Sequence, residues 1–173
     1  MARDIWVISD THFSHSNILN FTNEKTGEKV RNFHSVSHMN EVMIENWNSR
    51  VKPGDIVYHL GDVFFGDKEH FKQLWPRLNG AKRLIVGNHD DVKFLSSGSF
   101  FRKVMLWRRF GDLLLTHVPV HPSTLGEGRF KGSRIINVHG HIHQNQSPPG
   151  AYKCVCVEHT NYTPVSLESL YPR

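Results

Sequence analysis

IWVISDTH, residues 5–12, opens with an apolar run that lacks any polar alternation and stops on an aspartate, with a histidine two residues later. A run this short, apolar on both of its alternating faces, reads as a strand buried on both sides. Asp10 and His12 stand just beyond its carboxyl end. The arrangement repeats down the chain. DIVYHL (55–60) leads through a glycine to Asp62, and RLIV (83–86) leads through another to Asn88, His89 and Asp90. DLLLT (112–116) gives His117, RIINV (134–138) gives His141 and His143, and CVCV (154–157) is a sixth run of the same kind. Five strands thus deliver Asp, Asp, Asn, His and His at the end where open α/β sheets bind ligands.

Between the strands the period changes. In residues 37–51, Met39, Val42, Met43 and Trp47 recur at i, i+3, i+4 and i+8, one stripe of an amphipathic helix capped by Ser35 or Ser37 and stopped by KPGD. Residues 67–78 form a second helix with Phe71, Leu74 and Trp75 inward, disturbed near Pro76. KVMLWRRFGDLLLTH (103–117) reads as two strands joined in a hairpin at FGD. Stretches 14–34, 118–133 and 144–151 read as loops. The alternation of strands and helices early, with strands dominating late, predicts a layered α/β fold with mixed sheets, and no boundary divides residues 1–173 into more than one domain.

Composition narrows the partners. The chain has 173 residues, 21 Lys and Arg against 16 Asp and Glu, a net charge of +5 and 13 histidines. That balance suits anionic substrates, but the basic residues are scattered rather than striped, so a stable nucleic-acid complex is not expected. The amino terminus has no long apolar signal segment, and no run approaches the roughly 18 apolar residues of a membrane span. Cys154 and Cys156, the two cysteines, are two residues apart on one strand and read as small buried side chains. A cytoplasmic protein is the expectation.

NVHGHIHQNQ (137–146) sets His139, His141 and His143 on alternate positions. A proton switch, a metal site and coincidence all produce such a pattern. Taken singly, each polar residue past a strand is ordinarily a turn, a cap or a surface group. Taken together, Asp10, His12, Asp62, Asn88, His117, His141 and His143 require several coincidences at one topological position. Carboxylate, amide and imidazole donors suit Mn, Fe, Zn or Ni, and seven are too many for one tetrahedral zinc. They suit two ions sharing a carboxylate, for which Asp62, alone after a glycine, is the natural bridge.

With these residues in hand, the chain resembles the calcineurin-like metallophosphoesterases, whose pattern is D-x-H, G-D, G-N-H-[DE], a lone H and G-H-x-H in that order. Here it stands as SDTH (9–12), GD (61–62), GNHD (87–90), TH (116–117) and GHIH (140–143). DTHFSHSNI and LNGAKRLIVGNHD are similar to the short, stand-alone members of prokaryotes and phages. The resemblance implies a four-layer α/β/β/α sandwich with two mixed β-sheets around two divalent ions, manganese favoured over Fe, Zn or Ni. Asp10, His12, Asp62 and His143 would hold one ion; Asp62, Asn88, His117 and His141 would hold the other. His89 would sit beside the leaving group, while His139 is assigned to the core or to support of the ligands.

The implied activity is hydrolysis of phosphate esters by in-line attack of a hydroxide between the ions. Phosphodiesters such as cyclic nucleotides are favoured over monoesters. A nuclease or a non-catalytic metal-binding scaffold is the alternative. The protein Ser/Thr phosphatases continue the second motif as G-D-x-x-D-R-G, but here it runs GDVFFGD, with Phe65 and Gly66 in place of the acid and the arginine. Protein phosphatase activity is therefore not expected. Candidate substrate contacts are His15, Arg31, His121, Arg129 and Lys131, with Arg134 nearby and Phe13 or Phe33 available to stack a base.

Overall fold

The computed structural model describes residues 3–129 and 132–172. Its first sheet contains β1 (Ile5–Ile8), β2 (Ile56–His59), β3 (Ala81–Ile85), β4 (Lys103–Met105) and β9 (Val165–Ser166), in the order β4-β3-β2-β1-β9. The first four strands are parallel and β9 is antiparallel to β1. The second sheet holds β5 (Trp107–Phe110), β6 (Leu113–Thr116), β7 (Ile136–His139) and β8 (Tyr152–Cys154), in chain order, with only β5 antiparallel to its neighbour.

Alternate residues of the central strands β1, β2 and β3 serve two cores, which is why their runs show no polar alternation. Val7, Tyr58 and Ile85 face Leu113, Leu115, Ile136 and Val138 between the sheets. Ile8, Val57 and Leu84 face outward onto helices α1 (Val36–Arg50), α2 (Lys68–Leu74) and α3 (Val92–Ser97), against Met39, Met43, Trp47, Phe71, Trp75 and Leu95. Ser35 caps α1 by accepting from the His38 amide at 3.1 Å. α2 passes into a 3-10 turn, Trp75–Arg77, at Pro76. The result is an α/β/β/α sandwich whose fourth layer is thin. Over the outer face of the second sheet lies the stretch 118–129 with a short helical turn, Pro122–Thr124, pinned where the Val120 amide donates to Asn137 Oδ1 at 2.9 Å.

The hairpin at FGD is present, β5 pairing β6 around Gly111 and Asp112, but the expected long first strand is two strands. It breaks at Leu106: β4 pairs with β3 at one edge of the first sheet, and after that single residue β5 begins the second. Helix α3 and strand β9 are additions to the expected elements. With six and two residues they are too short to carry a period.

The sheets converge at their carboxyl ends. Beyond β8, the Ser9 amide donates to Val155 O at 3.1 Å and the Val157 amide to Ser9 O at 3.2 Å, stitching β1 of one sheet to the extension of β8 in the other. The loops after β1, β2, β6 and β7 are therefore drawn together. The Asp10 amide reaches Gly61 O at 3.0 Å, and the Gly140 amide reaches His117 O at 2.8 Å.

Candidate metal centre

Two groups of side chains meet in that seam. Ligand atoms of Asp10, His12 and His143 lie within 4.8 Å of one another, as do those of Asp62, His117 and His141. Asp62 Oδ2 lies between the groups, 3.5 Å from His12 Nε2 and 3.6 Å from His117 Nε2. Asn88 Oδ1 is 2.8 Å from His117 Nε2 and 3.0 Å from His141 Nδ1. Residues spread from position 10 to position 143 are thus brought to one place.

The backbone bends to achieve this. Asp10, His12, Asp62, His141 and His143 all have positive φ, between 46° and 71°. Such left-handed backbone costs a side-chain-bearing residue about 1–3 kcal/mol and persists where the surroundings over-determine it. The neighbouring glycines make room: a methyl group at Gly87 would overlap the Asp62 carboxylate, and one at Gly140 would overlap that of Asp10. Asp90 ties the loops together, accepting from the amides of Gly87 at 2.8 Å, Val63 at 2.9 Å and Asp62 at 3.1 Å.

The donor set fits cations. Asp10 Oδ1 and His12 Nε2 are buried without a hydrogen-bond partner among the described residues, which is costly unless something positive meets them. Burial, aided by the Arg31 charge, drives the His12 pKa down, so the ring is a neutral lone-pair donor. Burial raises the Asp10 pKa against the pull of His117 and His143, as expected for a carboxylate awaiting a counter-charge. His117 Nδ1 meets the Leu60 carbonyl at 2.7 Å, so that nitrogen carries the proton and Nε2 turns its lone pair toward the amide oxygen of Asn88. Two acceptors face each other there, and a cation relieves the contact.

The remaining expected residues divide. His89 is exposed at the mouth, its ring 6.0 Å from that of His12 and its amide donating to Asp62 Oδ1 at 2.9 Å. His15 stands at the rim, 5.5 Å from His12 between ring centres. Arg31 does not face the opening. It is wholly buried, pairing with Glu158 Oε1 at 2.8 Å and donating to the Asp10 and Thr11 carbonyls. His121 caps its own turn through Ser123, and Arg129 is anchored by its amide to Asp112, which precedes β6 at the end of the strand away from the seam. Neither is brought to the cluster. Lys131 lies outside the described residues.

Phe13 is fully buried, and Phe33 packs edge-on against Tyr162 at 4.8 Å, so both serve the core rather than a base. His139 is also buried, bound to Gly140 O and Ser147 Oγ. Cys156 donates its thiol to Asp10 Oδ2 at 3.2 Å. Its hydrogen bond with Cys154, together with burial, pushes that thiol's pKa up and keeps the proton on sulfur.

Glu158 was not anticipated. Its Oε1 meets His143 Nδ1 at 2.9 Å and both Arg31 nitrogens, Nε and Nη2, at 2.8 Å. It fixes the ring so that Nε2 points toward Asp10. The signal was available: Glu158 directly follows the sixth apolar run, CVCV, as Asp10 directly follows IWVIS.

Comparison with known proteins agrees with this geometry. The family model for calcineurin-like phosphoesterases matches residues 3–168. An uncharacterized protein of Methanocaldococcus jannaschii is 39% identical over 96% of this chain and 88% of its own length. The Gene 66 protein of Mycobacterium phage D29 is 26% identical over 81% of this chain and 78% of its own. The crystal structure of a protein of unknown function from Aquifex aeolicus superimposes with a TM-score of 0.71 at 27% identity, covering 98% of both chains. Matched along nearly its whole length, with the family's five motifs gathered in one seam, this chain belongs to the calcineurin-like phosphoesterase family.

Proposed function

We propose that the chain is a metal-dependent phosphoesterase with two divalent ions, manganese favoured, acting on phosphodiesters such as cyclic nucleotides in preference to monoesters. The observation that carries this reading is the position of Asp62 Oδ2, 3.5 Å from a histidine of one donor group and 3.6 Å from a histidine of the other. That spacing supports Asp62 as the shared carboxylate, with Asp10, His12 and His143 on one side and Asn88, His117 and His141 on the other. When bound, paired ions supply Lewis acidity toward phosphoryl oxygens and lower the pKa of a water.

The chain's own residues do the rest. Glu158 and the Leu60 carbonyl orient His143 and His117, and Asp90 holds the Asp62 loop against the Asn88 loop. His89, exposed with its amide on Asp62, would hydrogen-bond or protonate the departing oxygen. Two separate troughs, of about 670 and 690 Å³, open beside the centre. One reaches Asn88 and His117, the other His141 and His143. A phosphorus held near Asp62 thus has room for a substituent on each ester oxygen, which favours diesters.

Residues 1–173 would act as one domain. The free thiols suit a cytoplasmic location. Among the described residues, no helix is long and apolar enough to cross a membrane. The test is hydrolysis by manganese-loaded protein of bis-p-nitrophenyl phosphate, p-nitrophenyl phosphate and the 2′,3′- and 3′,5′-cyclic nucleotides. Diesters are expected to turn over faster than monoesters. Asp62→Asn is expected to abolish turnover and reduce the two bound ions measured by metal analysis. Near-full activity of that variant would overturn the assignment.

A further inference from the structure

Among the described phenylalanines, Phe13, Phe64, Phe71 and Phe101 are buried and Phe33, Phe94, Phe100 and Phe110 pack against the core, whereas Phe65 is 43% exposed and Phe21 is 50% exposed. A single exposed aromatic ring needs no explanation. These two belong to a continuous series of rings that leads into the metal centre. Phe21 meets His15 edge-on at 5.8 Å, and His15 stacks on Phe65 at 4.5 Å with an interplanar angle of 26°. Phe65 in turn meets His89 edge-on at 5.9 Å. His15 and His89 are 5.5 and 6.0 Å from His12 between ring centres.

The backbone beneath is fixed. The Phe65 amide donates to Phe13 O at 2.9 Å, the His15 amide to His12 O at 3.1 Å, and the Val30 amide to Phe21 O at 2.9 Å. Where the G-D-x-x-D-R-G pattern has its acid this chain carries Phe65, so an apolar face rather than a charge stands beside His89.

We propose that Phe65, Phe21 and His15 form a stacking ledge for an aromatic ring, a nucleobase or aryl group, carried by the ester on the side of His89. The proposal rests on the phosphoesterase reading and adds to it the substrate class. Aromatic stacking accepts any base, because every base offers a π-face, so the ledge selects for the presence of a ring rather than for its identity. The ring shares no bond with the reacting phosphorus. Its contribution is to binding and to the orientation of the leaving oxygen toward His89.

Adenosine 5′-monophosphate and ribose 5-phosphate separate the two readings, since they share a phosphate and a sugar and differ by the base. Binding to the manganese-loaded protein is measured by calorimetry. The wild type is expected to bind the nucleotide at least about tenfold more tightly, the scale of one base–aromatic stack. Phe65→Ala is expected to bring the nucleotide down to the level of ribose 5-phosphate while leaving the latter within about twofold. Phe65→Tyr should keep the preference, and Phe21→Ala should weaken it. Equal binding of the two ligands by the wild type, or a preference that survives Phe65→Ala, overturns the ledge while leaving diester hydrolysis intact. So does a preference lost in Trp107→Ala instead, which would seat the base in the trough beside Asn88. Failure of both phosphates to bind, together with no hydrolysis of any ester, overturns the ledge and the phosphoesterase reading alike.

Discussion

Arg31 carries a charge into a region without solvent, and its polar hydrogens are directed at Glu158, at the carbonyls of Asp10 and Thr11, and at Met39 Sδ. It therefore joins three segments distant in sequence, the loop after β1, its own loop and the extension of β8. Burial alone would raise the Glu158 pKa, but the Arg31 charge and the hydrogen bond with His143 hold it at about 2, so the carboxylate stays ionised. Removing one partner of a buried ion pair leaves the other uncompensated, at a cost of roughly 3–5 kcal/mol. Arg31→Ala is expected to lose about that much in urea denaturation of the metal-free protein. His121→Ala, which removes only the cap of a short exposed turn, is expected to cost about 1 kcal/mol or less. A substrate-binding arginine would give the opposite result, with stability unchanged and KM raised.

Among the elements, the pairing of β1 with β2 shows how the central strands are held at the end away from the centre. Asp55, just before β2, accepts from the amides of Lys52 at 2.9 Å and Asp4 at 3.3 Å and from the Trp6 indole at 3.0 Å. Burial pushes its carboxyl pKa up, but the hydrogen bonds from Lys52, Trp6 and Asp4 outweigh that and leave it below the ordinary aspartate value of 3.8. A carboxylate whose folded pKa is depressed contributes stability that is complete above the unfolded value and is lost as pH falls through the folded one. Asp55→Asn should therefore lower stability at pH 7, and the gap from wild type should narrow as pH drops below about 3.8. Thermal unfolding followed from pH 7 to pH 2.5 reads it, and a gap constant over that range would contradict the hydrogen-bond account. At the other end of the same strands, the turns are bent into left-handed backbone at Asp10 and Asp62. The sheet is thus anchored at one end and carries its strained turns at the other.

For the molecule as a whole, the centre lies where two sheets meet, so ions held there would link loops from both. A ligand that binds only the folded state at a thousand times its Kd adds about 4 kcal/mol of stability. Chelation of manganese-loaded protein is expected to lower Tm by several degrees, with half or less of that shift in Asp62→Asn; calorimetry with and without chelator measures it. Much of this architecture was legible in one dimension. Runs such as IWVIS and RLIV mark doubly buried strands, and the Asp, Asn and His residues that end them mark the face where ligands bind, because strand direction and side-chain chemistry are local properties. What followed from distance in the fold was not legible. Leu106, 75% exposed, reads as part of a continuous strand, yet the chain changes sheets there, since partner choice depends on the strands already in place. Arg31 and Glu158 stand 127 positions apart, and only folding turns a surface cation and a stray acid into a buried pair. Phe13 and Phe65 are the same residue type in the sequence, and tertiary packing alone put one in the core and the other at the mouth of the site.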